Sequence, residues 1–382
     1  MRSRLSTQGG GAAIAALLLY VSAAQAIEVP KQSSTPPPAP EPAAAPVTAS
    51  DESAFFEKLQ AVSHARTLRG LGVPNAVVAA LARGEANTAV ELLSTSSSQG
   101  SAEATIALVR IQHWCGRLGG GRANDPAAMI AKLSTQLPPE RASRAAGVVN
   151  AEAAYLRRAR EGCSRAAFDY GAIEERLRDA AEAGHPASAA ELAQFVRDPA
   201  KREALLQSAV DKHYAPAEYT LATQRLMAVQ RGQTTENVAS IRQLLKQAGR
   251  SMPKAKLDLA NCMALGCDGH PADSATANAF GLDAARDGEP AAYVSMFRMP
   301  WGARMPRARL LAWQYFGDRL NEAGCAGEAY IANSIAFAQA IGALEQNQPP
   351  TLLDEARKTA DALWRDHGQR AMQEQGCAAP AG

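Results

Sequence analysis

The stretch that decides the fold runs from Pro253 to Pro290. Its first part, Pro253-Lys-Ala-Lys-Leu-Asp-Leu-Ala-Asn-Cys-Met-Ala-Leu265, spaces apolar residues as a helix does behind an opening proline, and Gly266 follows. Proline suits the first helical position, where its missing N–H has no partner to lose, and glycine suits the left-handed residue that ends a helix. The second part starts at Asp273-Ser274, an acceptor side chain ahead of a helix former, and ends Leu282-Asp-Ala-Ala-Arg-Asp-Gly288-Glu-Pro290. Ala255, Ala260, Ala264, Ala277 and Ala284 are small enough to let two such helices approach closely. The stretch is a helical hairpin.

Working outward, the hairpin recurs. Pro186, Pro216, Pro253 and Pro290 each open an Ala-rich amphipathic stretch, at intervals of 30, 37 and 37 residues. The caps Asp125-Pro126, Asp198-Pro199, Thr235 and Asp273-Ser274 mark the intervening helices, and the last three keep the same period. Apolar residues recur at three and four, as in Ala187, Ala190, Leu192, Phe195 and in Ile241, Leu244, Leu245, Ala248, and no period-2 run reads as a strand. Two sets of markers with one unit length mean an all-α array of tandem helix-turn-helix repeats. A unit of that kind buries its apolar face only against neighbours, so deleting an inner unit such as Pro253 to Glu289 is expected to leave a shortened array. Leu257, Leu259, Phe280 and Leu282 are the expected seam, with Glu289 a bystander.

The unit endings Ala180-Ala181-Glu-Ala-Gly184-His-Pro186-Ala187 and Ala284-Ala285-Arg-Asp-Gly288-Glu-Pro290-Ala291 resemble those of the Sel-one-like subclass of tetratricopeptide-type repeats. Ala248-Gly249-Arg-Ser-Met-Pro253 matches loosely, Ala209-Val-Asp-Lys-His-Tyr-Ala-Pro216 lacks the glycine, and the usual loop before the second helix survives only as Gly266-Cys267-Asp268-Gly269. The resemblance covers residues 145 to 298 clearly and 75 to 345 in decayed form. It implies a right-handed solenoid whose concave groove, lined by the first helix of each unit, binds protein or peptide. The exposed positions of Pro186 to Phe195, Pro216 to Leu226, Pro253 to Leu265 and Pro290 to Phe297 are then the expected groove.

The ends read differently. Arg2 and Arg4, an apolar run from Ala12 to Ala24, and Ala24-Gln25-Ala26 make residues 1–26 an expected cleavable export signal, the run being too short for a membrane span. The first cysteine is Cys115, so none stands at the cleavage site to carry a lipid. Residues 27–50 hold seven prolines among Ala, Ser and Thr and are expected to form an extended, polyproline-like tether. Beyond it, the expected organisation is an N-terminal helical region of decayed repeats (51–140), Sel-one-like repeats (141–300), a C-terminal helical cap (301–370) and a frayed tail (371–382), with Cys377 tied down. The whole chain has 40 basic and 38 acidic residues, and losing Arg2 and Arg4 makes it neutral. That balance, with no basic run, points away from nucleic acid and anionic membranes, and no stable membrane insertion is expected after cleavage.

The six cysteines, Cys115, Cys163, Cys262, Cys267, Cys325 and Cys377, all follow the signal. An even count in an exported chain favours disulfides, although six allow 15 pairings, and buried reduced thiols remain the alternative. Cys262 and Cys267 can pair if Gly266 ends the helix between them. Cys115 and Cys163 end consecutive first helices and stand at equivalent positions, leaving Cys325 and Cys377 to pin the tail. No second Cys pair or His-x-x-x-His gives ligand spacing, so no metal site or cofactor is expected.

Catalytic signals are sparse. Ser251-Met-Pro-Lys254 has the spacing of penicillin-recognising enzymes, without their Lys-Thr-Gly strand, for which the chain offers only Lys358-Thr359-Ala360. Glu52-Ser53 resembles the catalytic pair of lytic transglycosylases but also reads as acidic residues opening a first helix. The histidines His64, His113, His185, His213, His270 and His367 are dispersed. The densest aromatic segment, Phe297-Arg-Met-Pro-Trp301-Gly-Ala-Arg304, followed by Trp313, Tyr315 and Phe316, is either a binding surface or the packed cap of the array. The candidate binding residues are Tyr219, Tyr293, Phe297, Trp301 and Arg304. The expected function is an exported, periplasmic or secreted, non-enzymatic scaffold that binds a protein or peptide of the cell envelope. The alternative is a cell-envelope enzyme or penicillin-binding protein of the cysteine-rich repeat type.

Overall fold

One turn is used again and again along the chain. At Gly84, Gly184, Gly266, Gly288, Gly324 and Gly376 the backbone takes a left-handed φ. The N–H of the following residue then bonds a carbonyl five residues back, as from His185 to Ala180 at 2.8 Å and from Glu289 to Ala284 at 3.0 Å. This is the Schellman ending of a helix, and it sends the chain straight into the next one. The unit that lacks its glycine makes the same turn with His213 at φ 57° and a bond from Tyr214 to Ala209. A left-handed non-glycine residue is strained, so His213→Gly is expected to stabilise the protein by about 1 kcal/mol, read as a rise in the urea midpoint. An unchanged or lower midpoint would count against this.

In this computed structural model the described residues are 49–120, 125–232, 238–267 and 270–377. The expected signal, the proline-rich residues before Ala49, the cap candidate Thr235, the loop residues Asp268 and Gly269, and residues 378–382 lie outside them. The described residues form α-helices and one short 3-10 helix, Gly327–Ala329, with no strand among them. The first group is α1 (Ala49–Thr67), α2 (Asn75–Ala82), α3 (Ala86–Ser98), α4 (Ala102–Gly120), α5 (Pro126–Gln136) and α6 (Pro139–Arg165). The repeats proper are α7 (Tyr170–Glu182), α8 (Pro186–Leu192), α9 (Pro199–Val210), α10 (Ala215–Gln230), α11 (Val238–Ala248), α12 (Pro253–Leu265), α13 (Ser274–Arg286) and α14 (Pro290–Arg298). The chain ends with α15 (Arg307–Glu322), α16 (Tyr330–Glu345) and α17 (Pro350–Gln375). Asp125, Asp198 and Asp273 cap α5, α9 and α13 with side-chain oxygens, as their sequence context requires. Neighbouring helices pack in antiparallel pairs, so the all-α array of helical hairpins is realised. Leu257, Leu259 and Leu282 lie in its main core, with Phe280 half-buried against it.

The array does not stay open. Helix α1 lies along α6 and reaches the 3-10 helix, while α5 touches α16, so the first third of the chain meets the last quarter. Phe55 packs edge-on to Tyr330 at 5.2 Å, and one apolar cluster joins Phe56, Leu59, Val148 and Tyr155 to Ala326 and Tyr330. A second joins Leu133, Leu137 and Val149 to Ile331 and Ile335. Around them, Arg141 grips Asp318 with two hydrogen bonds of 2.9 and 2.5 Å, Arg144 pairs with Glu322, and Ser63 Oγ accepts the Glu328 N–H at 2.8 Å. Burial pushes the Asp318 carboxyl up, against the pull of Arg141. Arg66 of α1 donates to the carbonyls of Cys325, Ala326 and Gln375, capping the open ends of α15 and α17 in one stroke. The helices between complete the circuit, and the solenoid is a closed ring.

Closure corrects three expectations. The stretch from 371 is not frayed at its start, because α17 continues to Gln375, Ala371 is buried, and Cys377 is bonded to Cys325. The first-helix faces expected to form an open concave groove are mostly internal, with Ser188, Glu191 and Glu218 buried among their apolar residues. Arg110 occupies that side, donating to Glu191 Oε1 at 2.7 Å and to the Thr67 carbonyl at 2.6 Å. Glu289 is no bystander either: its carboxylate caps α14 through the Ala291 N–H, and burial pushes its acid up against Lys254 and Arg66.

Candidate functional site

The three cysteine pairs are all joined: Cys115–Cys163, Cys262–Cys267 and Cys325–Cys377, with Cα separations of 5.5, 4.9 and 5.1 Å. The second depends on Gly266, whose left-handed turn folds the chain back and lets the Cys267 N–H reach the Cys262 carbonyl. Cys325 and Cys377 each follow such a turn, at Gly324 and Gly376, and so meet as two helix ends. Bonds of this kind persist in an oxidising compartment. No helix among the described residues is long and apolar enough to cross a membrane.

The expected binding residues separate. Tyr293 and Trp301 are each only 1 % exposed and cannot touch a partner. The Tyr293 hydroxyl donates to the Ala285 carbonyl at 2.7 Å. The Trp301 indole N–H donates to Asn261 Oδ1 at 3.0 Å, and its ring lies where a side chain on Gly281 would stand, 2.6 Å from the position of such a Cβ. Phe297 packs beside Leu311 and Leu344, and Arg304 is exposed. The aromatic segment is thus the sealed cap of the array. Tyr219 faces the inner side, where its hydroxyl donates to Asp258 Oδ2 at 2.7 Å while Lys254 holds Oδ1 at 2.6 Å. Burial, and then the Asp258 charge, push this phenol up.

The catalytic candidates are not assembled. Ser251 is an exposed turn residue, and the Lys254 ammonium is bound to Asp258. A lysine that activates a serine must face it and give up its proton. Glu52 stands in the first turn of α1 with its carboxylate against Gly147, at the α1–α6 contact. Among the described residues no group of three or more His, Cys, Asp or Glu side chains is placed to hold a metal.

A concavity lies elsewhere, at the Cys115–Cys163 bond. That bond ties the last turns of α4 and α6, and the chain from Ala166 to Asp169 then passes over them before α7 begins. Asp169 caps α7 by accepting the Ala172 N–H at 3.1 Å, which fixes Phe168 and Tyr170 on either side of it, ring centroids 6.2 Å apart. Below them a cavity of about 960 Å³ is lined by His113, Arg117, Cys163, Phe168 and Tyr170, among others. A smaller one, about 330 Å³, adjoins it across Ala167 and Phe168 and is lined by Ser94, Leu108, Ile173 and Arg176. His113 is held by a tilted contact with Phe195 at 5.6 Å, and Arg176 donates to Ser97 Oγ at 3.1 Å. Tyr170 is 62 % exposed, a large aromatic ring left in solvent. Sequence reading passed over Phe168-Asp169-Tyr170. An aromatic on each side of an N-cap, just after a cysteine, is the signal that was there to find.

No family model matches the chain, and no curated protein matches it. Among solved structures it is similar to c5321, a protective antigen present in uropathogenic Escherichia coli strains displaying an SLR fold. The two are 14 % identical, with 87 % of this chain and 88 % of that one covered and a TM-score of 0.32.

Proposed function

We propose that this chain is an exported helical-repeat scaffold, resident in the periplasm or secreted, that holds an extended segment of a protein in the groove beside Cys115–Cys163. The observation that carries this reading is the exposed ring of Tyr170 over a cavity of about 960 Å³ with one cationic rim residue, Arg117. Aromatic side chains and arginine supply most of the energy where proteins meet, since they bring large area with a polar handle. The groove stands on two helix ends joined covalently, so it is organised before a ligand arrives. Export rests on the disulfides and on the N-terminal pattern of residues 1–26. Against the serine–lysine alternative stands the engagement of the Lys254 ammonium by Asp258.

Placing a photo-crosslinking amino acid at position 170 tests this in cells. One defined protein adduct is expected, absent when the probe stands at Arg304. The substitution Tyr170→Ala should weaken binding of that partner at least tenfold while leaving the melting temperature unchanged, because the ring packs on little. Equal adducts at both positions, or none, would refute the reading. Labelling of Ser251 by a fluorescent penicillin, lost in Ser251→Ala, would return the enzyme alternative.

A further inference from the structure

The three disulfides differ in where they lie. Cys262, Cys267, Cys325 and Cys377 are buried, whereas Cys115 and Cys163 are only half-buried and both line the larger cavity, beside Tyr170. Resting on the reading of that groove as a site for a protein segment, we propose that the Cys115–Cys163 bond exchanges with a cysteine of the bound segment, so that the groove holds thiol-bearing chains covalently and reversibly. Bracing the ends of α4 and α6 does not require the bond to face the ligand. Exchange does.

The step is a displacement at sulfur. A thiolate of the segment attacks Cys163 Sγ, a new S–S bond forms there, and the Cys115 sulfur leaves as a thiolate with the electron pair of the broken bond. One disulfide replaces another, so the step consumes neither oxidant nor reductant. The reverse attack, by the Cys115 thiolate on Cys163 Sγ, expels the segment's thiolate and restores the original bond. A sulfur leaves faster when its thiolate is stabilised, so the surroundings of Cys115 set the rate of capture.

Those surroundings are cationic. His113 and Arg117 flank Cys115 in the sequence and line the same cavity, and no carboxylate among the described residues lines it with them. Positive charge next to a cysteine favours its thiolate. Both cysteines also stand in the last turns of their helices, where unpaired carbonyls act in the opposite sense. At α4 that field is offset, because Arg160 Nε donates to the Leu118 carbonyl at 3.3 Å. The cations thus belong to the Cys115 side of the bond, while Phe168 and Tyr170, which follow Cys163 in the chain, give the segment its apolar seat on the other. This division assigns Cys163 as the sulfur that takes the segment and Cys115 as the one that leaves.

The test incubates the oxidised full-length chain near neutral pH with an uncharged synthetic peptide carrying a single cysteine among apolar residues. Acid quenching and non-reducing peptide mass spectrometry then read the mixed disulfide. An adduct on Cys163 is expected to form about tenfold faster, or more, than one on any of the buried cysteines. Arg117→Glu should slow it about fivefold or more, at an unchanged melting temperature because Arg117 is exposed, and Arg117→Lys should keep the original rate. A bond that reacts through exposure alone is indifferent to that charge. The proposal is overturned by the absence of an adduct, by an adduct shared equally between Cys115 and Cys163, or by a rate unmoved in Arg117→Glu. The photo-crosslink at position 170 separates the two readings: if a defined partner is still captured there while the adduct fails to form, exchange is wrong and the scaffold function stands.

Discussion

Deletion of residues 253–289 is expected to abolish the fold rather than shorten it. Both halves of the Cys262–Cys267 pair leave together, so no free thiol complicates the result. In an open solenoid α11 would simply dock on α14, and the loss would be one unit's share of the stability. Here α15, α16 and α17 must also meet α1, α5 and α6. Removing one hairpin displaces them by about the 8 to 10 Å that separates packed helix axes, far more than any contact at the closure can stretch. The bidentate Arg141–Asp318 pair, the Phe55–Tyr330 contact and the apolar clusters around Val149 and Tyr155 would all be lost at once. The loss of two apolar clusters together is large beside a whole domain's stability of about 5 to 15 kcal/mol. Circular dichroism with urea titration is the measurement. A variant that keeps a cooperative transition, with its helical signal reduced only by the missing 37 residues, would show that the closure is dispensable.

Acid is expected to weaken the protein through His64 by as much as about 3 kcal/mol. This ring is buried where α1 crosses α4 and α6, edge-on to Trp114 at 4.9 Å. Tyr155 spends its only proton on the Leu81 carbonyl at 3.1 Å, so the His64 Nε2–H is the donor in the 2.9 Å bond between them. Burial, and then the charge of Arg117, lower the His64 pKa from 6.5 to about 4. A histidine whose folded pKa lies below its unfolded value binds fewer protons folded than unfolded. Its contribution is therefore complete above pH 6.5 and is lost as the pH falls from there to about 4. The buried carboxyls Asp318, Glu218 and Glu289 have raised pKa values and act in the opposite sense. The clean comparison is thus between the wild type and His64→Gln. Their unfolding free energies should converge between pH 7 and pH 4, and parallel curves across that window would refute the assignment.

Much of this architecture was legible in the sequence because it is local. The prolines at 186, 216, 253 and 290, the capping aspartates, and the Ala-Ala-x-x-Gly endings each act within a few residues, so period and hairpin could be read directly. The Cys262–Cys267 pairing was legible for the same reason, since it hangs on Gly266 alone. Closure was not. It depends on where Phe55 and Tyr330, 275 positions apart, arrive after every unit has added its rotation, and no local pattern carries that sum. The binding residues failed on the same point. Tyr293 and Trp301 have the composition of a contact surface, but Phe316 and Phe337 close over Tyr293, and Asn261 and the bare backbone of Gly281 receive Trp301. Tyr170 escaped notice as a single aromatic at a helix start.

Arg66 and the contacts around it make hairpin number a discrete property of this molecule. An open solenoid can gain or lose a unit in one genetic step and remain a usable, longer or shorter version of itself. A hoop admits only the count at which its last element lands on its first, as the blades of a propeller do. Lineages that carry this closure should therefore vary in the lengths of their loops and keep the number of hairpins constant, and a duplication within residues 186–298 would be accepted only with a compensating loss elsewhere in the circle.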